Sequence, residues 1–242
     1  MKRKIGQVFQ LLAVLFLTLP LNAEEEMINE EIFCEEIFNK SCDKVSVYGA
    51  YIHLELLDHD NPTTYVDAAC GRIEGCWRFW DGFTIEPMFM GGGNFDDEYI
   101  TTSLGIGYVV PLLDCFSITP SVGGIYTYIK TKTVFEPAGL RDLNETFNIW
   151  SPYIRLAASW TFFPSLRLYG HYQYAWSENY ISITHLPKMT EWWSGSNVEL
   201  VLQYDFYECW SIDLGGEYTY SLKDSKRGIQ SYGAKLGLVR WF

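Results

Sequence analysis

From Val45 onward the chain alternates apolar and polar residues in stretches of about 10–15, the two-residue period of a β-strand. Between Trp210 and Leu222 one face reads Trp210, Ile212, Leu214, Gly216, Tyr218, Tyr220 and Leu222. The other reads Ser211, Asp213, Gly215, Glu217, Thr219 and Ser221. Similar alternation runs through Leu166–Trp176 and Val198–Phe206. A soluble β-sandwich alternates too, so two further features decide. The apolar face is ordered along each strand, with aromatics at the ends and aliphatic or small residues between, as in Phe116, Ile118, Val122, Tyr126 and Tyr128. Rings sorted this way match the two water–lipid interfaces crossed by a transmembrane strand. The polar face carries full charges, which a dry core rarely buries. The expectation is an all-β fold: a transmembrane, antiparallel, up-and-down β-barrel.

Connections alternate in length. Short ones fall near Pro111–Asp114, Phe163–Ser165 and Phe206–Glu208, and long ones cover about Lys130–Asn148 and Glu178–Gly195. Barrels in membranes have short periplasmic turns and longer external loops, so the chain's end is assigned to the periplasmic side. Strands are expected at Val45–Leu57, Thr64–Arg72, Trp77–Met90, Glu98–Val110, Cys115–Lys130, Trp150–Phe162, Leu166–Ser177, Asn197–Phe206, Cys209–Leu222 and Gly228–Phe242. That is about ten; eight with an irregular first segment is the alternative. Pro87 and Pro120 fall mid-strand and remove ladder donors, so a bulge is expected at each. The polar face assigns Glu86, Arg155, Arg167, His171, Glu199, Asp213, Glu217 and Lys235 to the lumen, with Glu55 beside them.

Lys2, Arg3 and Lys4 lead into an apolar run ending at Leu21-Asn22-Ala23, the layout of a secretory signal peptide. Residues 1–23 are read as that signal, 24–43 as an acidic periplasmic tail and 44–242 as the barrel. Mean hydropathy is −0.04, far from a helical membrane protein's long apolar runs. The exported part has 15 basic against 30 acidic residues, which argues against nucleic acid as a partner.

The final strand reads Tyr232-x-Ala234-x-Leu236-x-Leu238-x-Arg240-Trp241-Phe242. A terminal Phe242 closing an alternating strand resembles the assembly signal of bacterial outer-membrane β-barrel proteins. The resemblance implies a bacterial outer-membrane location, membrane lipid as surroundings and the barrel-assembly machinery as a partner. Arg240 departs from it, at a position normally apolar or aromatic. The cysteines (Cys34, Cys42, Cys70, Cys76, Cys115, Cys209) are even in number and exported, so all are disulfide candidates. Cys42, Cys76, Cys115 and Cys209 each fall where an upward strand is expected to start. That arrangement loosely resembles the cysteine-rich, cross-linked major outer-membrane proteins of obligate intracellular bacteria. It implies disulfides to other envelope proteins; pairing of turn thiols with the tail is the alternative.

A barrel of eight to ten strands is roughly filled by its own side chains, so the main expectation is a structural envelope role or narrow, porin-like passage of small solutes. The alternative is surface adhesion through the long external loops, one of which holds Tyr180, Ile181, Ile183, Trp192 and Trp193. A rim hydrolase would rest on Asp58-His59-Asp60, since ten-stranded outer-membrane proteases place His and Asp at the external mouth. No Ser or Cys motif supports a nucleophile. The chain is read as no enzyme, with no catalytic residue, metal site or cofactor.

Overall fold

The computed structural model describes residues 43–57, 64–94, 96–113, 115–135, 140–184, 186–224 and 227–242. The signal peptide, the tail up to residue 42 with Cys34 and Cys42, and Asp58-His59-Asp60 lie outside the described residues. The described residues form eleven strands: β1 (Lys44–Leu57), β2 (Thr64–Trp80), β3 (Phe83–Gly93), β4 (Glu98–Tyr108), β5 (Val110–Leu113), β6 (Phe116–Phe135), β7 (Leu140–Phe163), β8 (Leu166–Ile183), β9 (Met189–Tyr207), β10 (Trp210–Asp224) and β11 (Arg227–Trp241). All pairing is antiparallel between neighbours, β1 meets β11, and both β4 and β5 lie along β6. Because β4 and β5 form one stave interrupted at Val109, the sheet is a closed ten-stave barrel. Closure joins the first and last strands edge to edge, as a sheet in lipid requires.

One connection corrects the sequence reading. The stretch Trp77–Met90 is not a single strand: the chain reverses at Asp81-Gly82, whose φ angles are 34° and 89°. A two-residue hairpin with positive φ at both positions favours Asp-Gly. Trp77–Trp80 therefore complete β2, and Cys76 lies on a downward strand instead of starting an upward one.

The long loops are corrected as well. β6 continues to Phe135 and β7 begins at Leu140, while β8 reaches Ile183 and β9 begins at Met189. β7, β8 and β9 hold 24, 18 and 19 residues, where about 9–11 cross a bilayer. Half of this wall rises beyond the membrane as paired strand.

Neither expected bulge forms. At Pro87 the β2–β3 ladder passes from Glu74↔Met88 to Trp77↔Ile85 with no pair between, but both strands skip equal numbers of residues. Beside Pro120 the β4/β5 stave breaks at Val109, whose N–H donates to the Gly82 carbonyl at 2.9 Å. Pro152 opens a third gap between β7 and β8, where the Ser151 and Ser177 hydroxyls bond at 2.7 Å. A missing N–H interrupts the ladder locally; the register survives because the long pairing on either side holds it.

The two faces exchange character along the barrel axis. In the lower half, at the end with the short turns and Phe242, the exterior is aliphatic (Val47, Ile73, Leu104, Val122, Ile154, Leu236, all exposed). Exposed rings flank this band, with Trp80, Trp160, Tyr204 and Phe206 below and Tyr51, Trp150, Trp176 and Tyr232 above. The interior at that height is polar. Above the upper rings the interior is instead an apolar core in which Ile52, Leu54, Val66, Met90, Ile129, Phe147, Ile181 and Trp193 are buried. The upper exterior carries Asp67, Glu98, Lys130, Lys132 and Thr146. The lower half is arranged for lipid, the upper half for water.

Candidate functional site

Alternation fixes which side chains enter the lumen, and the structure turns all eight named lumen residues inward. Seven of them form two groups on opposite sides of the barrel, and Arg167 lies lower, beside Trp241. The first spans β2 to β11 to β9. Arg72 meets Glu199 at 2.9 Å and Glu217 at 3.0 Å and also pairs with Glu74; Lys235 meets Glu199 at 3.0 Å and Glu74 at 3.3 Å. Two cations thus hold three carboxylates across half the circumference. The Lys235 ammonium also sits 4.2 Å from the Tyr48 ring centre, and the Tyr48 hydroxyl donates to Asp213 at 2.8 Å. His171 Nε2 bonds Asn197 Oδ1 at 2.8 Å, which leaves Nδ1 facing Glu199 at 4.0 Å.

The second group crosses the other half. Glu86 on β3 pairs with Arg155 on β7, and Arg155 Nε donates to the Ser121 hydroxyl at 3.0 Å. This wall is lined by small residues, and Tyr153 leans into the room they leave: a Cβ on Gly105 would lie 2.3 Å from its hydroxyl. Breaking either group would leave charges stranded in a confined site, so the waist is held together by the need for mutual neutralisation.

Below the waist the lumen is floored by Trp241, 6% exposed. Its indole N–H donates to Ser211 at 2.8 Å, and Lys44 and Arg167 each stand 5.0 Å from its ring centre. Above the waist the interior is lined by the apolar core. Its upper edge is a clasp in which Glu191 accepts from Lys223 at 2.9 Å, Arg227 at 3.0 Å and the Trp193 indole at 3.1 Å. A cavity of about 280 Å³ runs through this interior, lined by Lys44 and Asp213 below, Arg72 and Glu217 at the waist, and Leu54, Ile129 and Trp193 of the apolar core above. Among the described residues no group of three or more His, Cys, Asp or Glu is arranged to hold a metal ion.

Several sequence assignments move. Glu55 is not in the lumen: it stands on the outer face beside His53, which bonds Asp67 at 2.8 Å. Ile181, Ile183 and Trp193, read as exposed loop residues, point into the upper core, leaving Tyr180 and Trp192 outside. Cys70 is a free thiol buried in that core, Cys209 is a free, exposed thiol in a short lower turn, and Cys115 is disulfide-bonded. Phe242 is exposed at the lower rim, its backbone N–H bonded to the Asp43 carbonyl at 3.0 Å. Arg240 lies on the same outer face, 5.5 Å from the ring centres of Trp210 and Phe242.

Arg72, Glu74, Tyr48 and Trp241 were missed as site residues. Cutting the second strand at Arg72 hid the first two. The inward position of Trp241 was legible, since Val239 and Lys235 share its parity.

No protein-family model and no curated protein matches the chain. Several solved structures are similar to the chain at low identity. The outer membrane protease OmpT from Escherichia coli is 13% identical over 84% of this chain and 98% of that one, with a TM-score of 0.48. The attachment invasion locus protein Ail of Yersinia pestis is 12% identical over 82% and 97%, with a TM-score of 0.40. An outer membrane channel from Pseudomonas putida F1 is 12% identical over 83% and 96%, with a TM-score of 0.44. None of these likenesses carries an activity over to this chain. The chain's own exterior decides its place. A closed antiparallel barrel with an apolar band between two aromatic girdles is the design of an outer-membrane protein, and the bacterial outer membrane is its location.

Proposed function

We propose that this barrel is an envelope protein closed to free passage of ions, which carries a rigid β-sheet collar above the outer membrane. The observation that supports this most is the waist. Arg72 and Lys235, clasped by Glu74, Glu199 and Glu217, fill one side of the lumen, and Arg155 with Glu86 fills the other. An open channel needs polar groups that face water, whereas these face one another. The apolar residues lining the interior above offer an ion few ligands along that stretch. The narrow, porin-like alternative would require ions to pass between these paired charges and then along the apolar lining above them. Reconstitution in a planar bilayer tests the reading: the closed barrel gives no resolved conductance steps, and regular open-channel steps from the unmodified protein would refute it.

Periplasmic cross-linking to another envelope protein has one supporting observation, the exposed Cys209 thiol in the Glu208–Cys209 turn. A non-reducing gel of intact envelopes should show a reductant-sensitive adduct that Cys209→Ser removes. A band that ignores both reductant and substitution would dismiss it.

A further inference from the structure

Two exposed rings belong to neither girdle. On β8 the upper girdle residue is Trp176, and on β9 the outward apolar run ends at Val198. Tyr180 lies four residues beyond the first and Trp192 six beyond the second. With strands tilted about 35–45°, that puts them about 10–15 Å above the band. Trp192 is 66% exposed and Tyr180 44%.

Register brings these rings together around one carboxylate. Glu178 pairs directly with Trp150 on β7 and with Trp192 on β9, and Tyr180 pairs with Thr190, diagonal to Trp192. Directly opposite and diagonal side chains on one face are within reach of each other. Glu178 and Tyr180 share the outward face of β8 two residues apart, near enough for their side chains to interact. None of the other residues diagonal to Glu178 (Asn148, Pro152, Thr190, Ser194) is basic. The nearest basic pair along β6, Lys130 and Lys132, is engaged by Glu98 and Asp96.

We propose that this platform binds a sugar ring of a glycolipid of the outer leaflet. The apolar face of a sugar packs on an exposed indole or phenol, and its hydroxyls donate to a carboxylate. An acyl chain has no use for Glu178, and a phosphate would meet a like charge without a cation to offset it. Position selects the source. The platform continues the upper girdle through Trp150 and Trp176, so a lipid whose chains lie against the apolar band below presents its headgroup at this height.

The test uses the full barrel in phospholipid nanodiscs, with retained glycolipid counted by native mass spectrometry. The probes are a glycolipid bearing neutral hexoses, the same lipid with those sugars removed, and the released oligosaccharide. The sugar-bearing lipid should be retained about tenfold better than the truncated one, an effect of the size carried by one anchoring aromatic. Trp192→Ala and Glu178→Gln should each abolish most of that preference, while Trp160→Ala in the lower girdle should not. Heat-modifiable migration on gels confirms that each variant is folded. Equal retention of the two lipids, or wild-type preference in both platform variants, overturns the proposal. Equal binding of the free oligosaccharide overturns the membrane glycolipid as its source.

Discussion

β7 carries both halves of the molecule on one strand. Below Trp150 its outward residues are Ile154 and Leu156 and its inward residue between them is Arg155. Above Trp150 the outward residues are Thr146 and Asn148 and the inward ones Phe147 and Ile149. β2 repeats this, with Ile73 outside Arg72 and Glu74 in the lower half, and Asp67 outside Val66 and Ala68 in the upper. The hydrogen-bonded ladder barely notices the change; the surroundings do. Where lipid is outside, the charges turn in and must neutralise one another. Where water is outside, the barrel builds the dry core of a soluble protein. The exchange point marks the upper membrane boundary.

Substitutions can break this contrast in order of expected effect. Arg72→Ala leaves Glu217 without its cation and Glu74 and Glu199 sharing Lys235 alone, and should cost about 3–5 kcal/mol, read as a lowered urea midpoint in lipid–detergent micelles. A loss below 1 kcal/mol would mean the waist is wet enough to rescue them. Next is Leu156→Lys, on the lipid face at mid-height, with an expected cost of about 2–4 kcal/mol. The upper core should respond to trimming: Ile129→Val removes one buried methylene for about 0.5–1.5 kcal/mol. Smallest is Thr146→Lys, on the same strand and face as Leu156 but above the boundary, within about 0.5 kcal/mol of wild type. Equal costs at Leu156 and Thr146 would erase the distinction between the halves.

The lower half was legible because lipid imposes a strict two-residue period with rings at both ends. Arg155, Arg167, Glu199 and Lys235 could be assigned to a face from parity alone. The upper half was hidden by the same rule. On β8 the apolar positions are even-numbered through Trp176 and odd-numbered at Ile181 and Ile183, so the exchange of faces reads as a broken pattern and suggests a loop. β7 and β9 slip phase in the same way at Ile149–Trp150 and between Trp193 and Val198. The turn at Asp81-Gly82 carried a strong local signal, overridden by the apolar run on both sides of it. The ion-pair partners of the waist could not be read at all, since they join strands distant in sequence through the barrel's closure.

The most direct test of the inverted halves is the environment of single labels along the outer face of β7. Nitroxide labels at Asn144, Thr146, Asn148, Ile154, Leu156 and Ala158, one per variant, would be probed in bilayers with oxygen and a water-soluble nickel complex. The structure requires oxygen-dominated relaxation at Ile154, Leu156 and Ala158, and nickel-dominated relaxation at Asn144, Thr146 and Asn148, with the crossover at Trp150. Oxygen-dominated relaxation continuing up to Asn144 would place the whole strand in lipid and contradict the account.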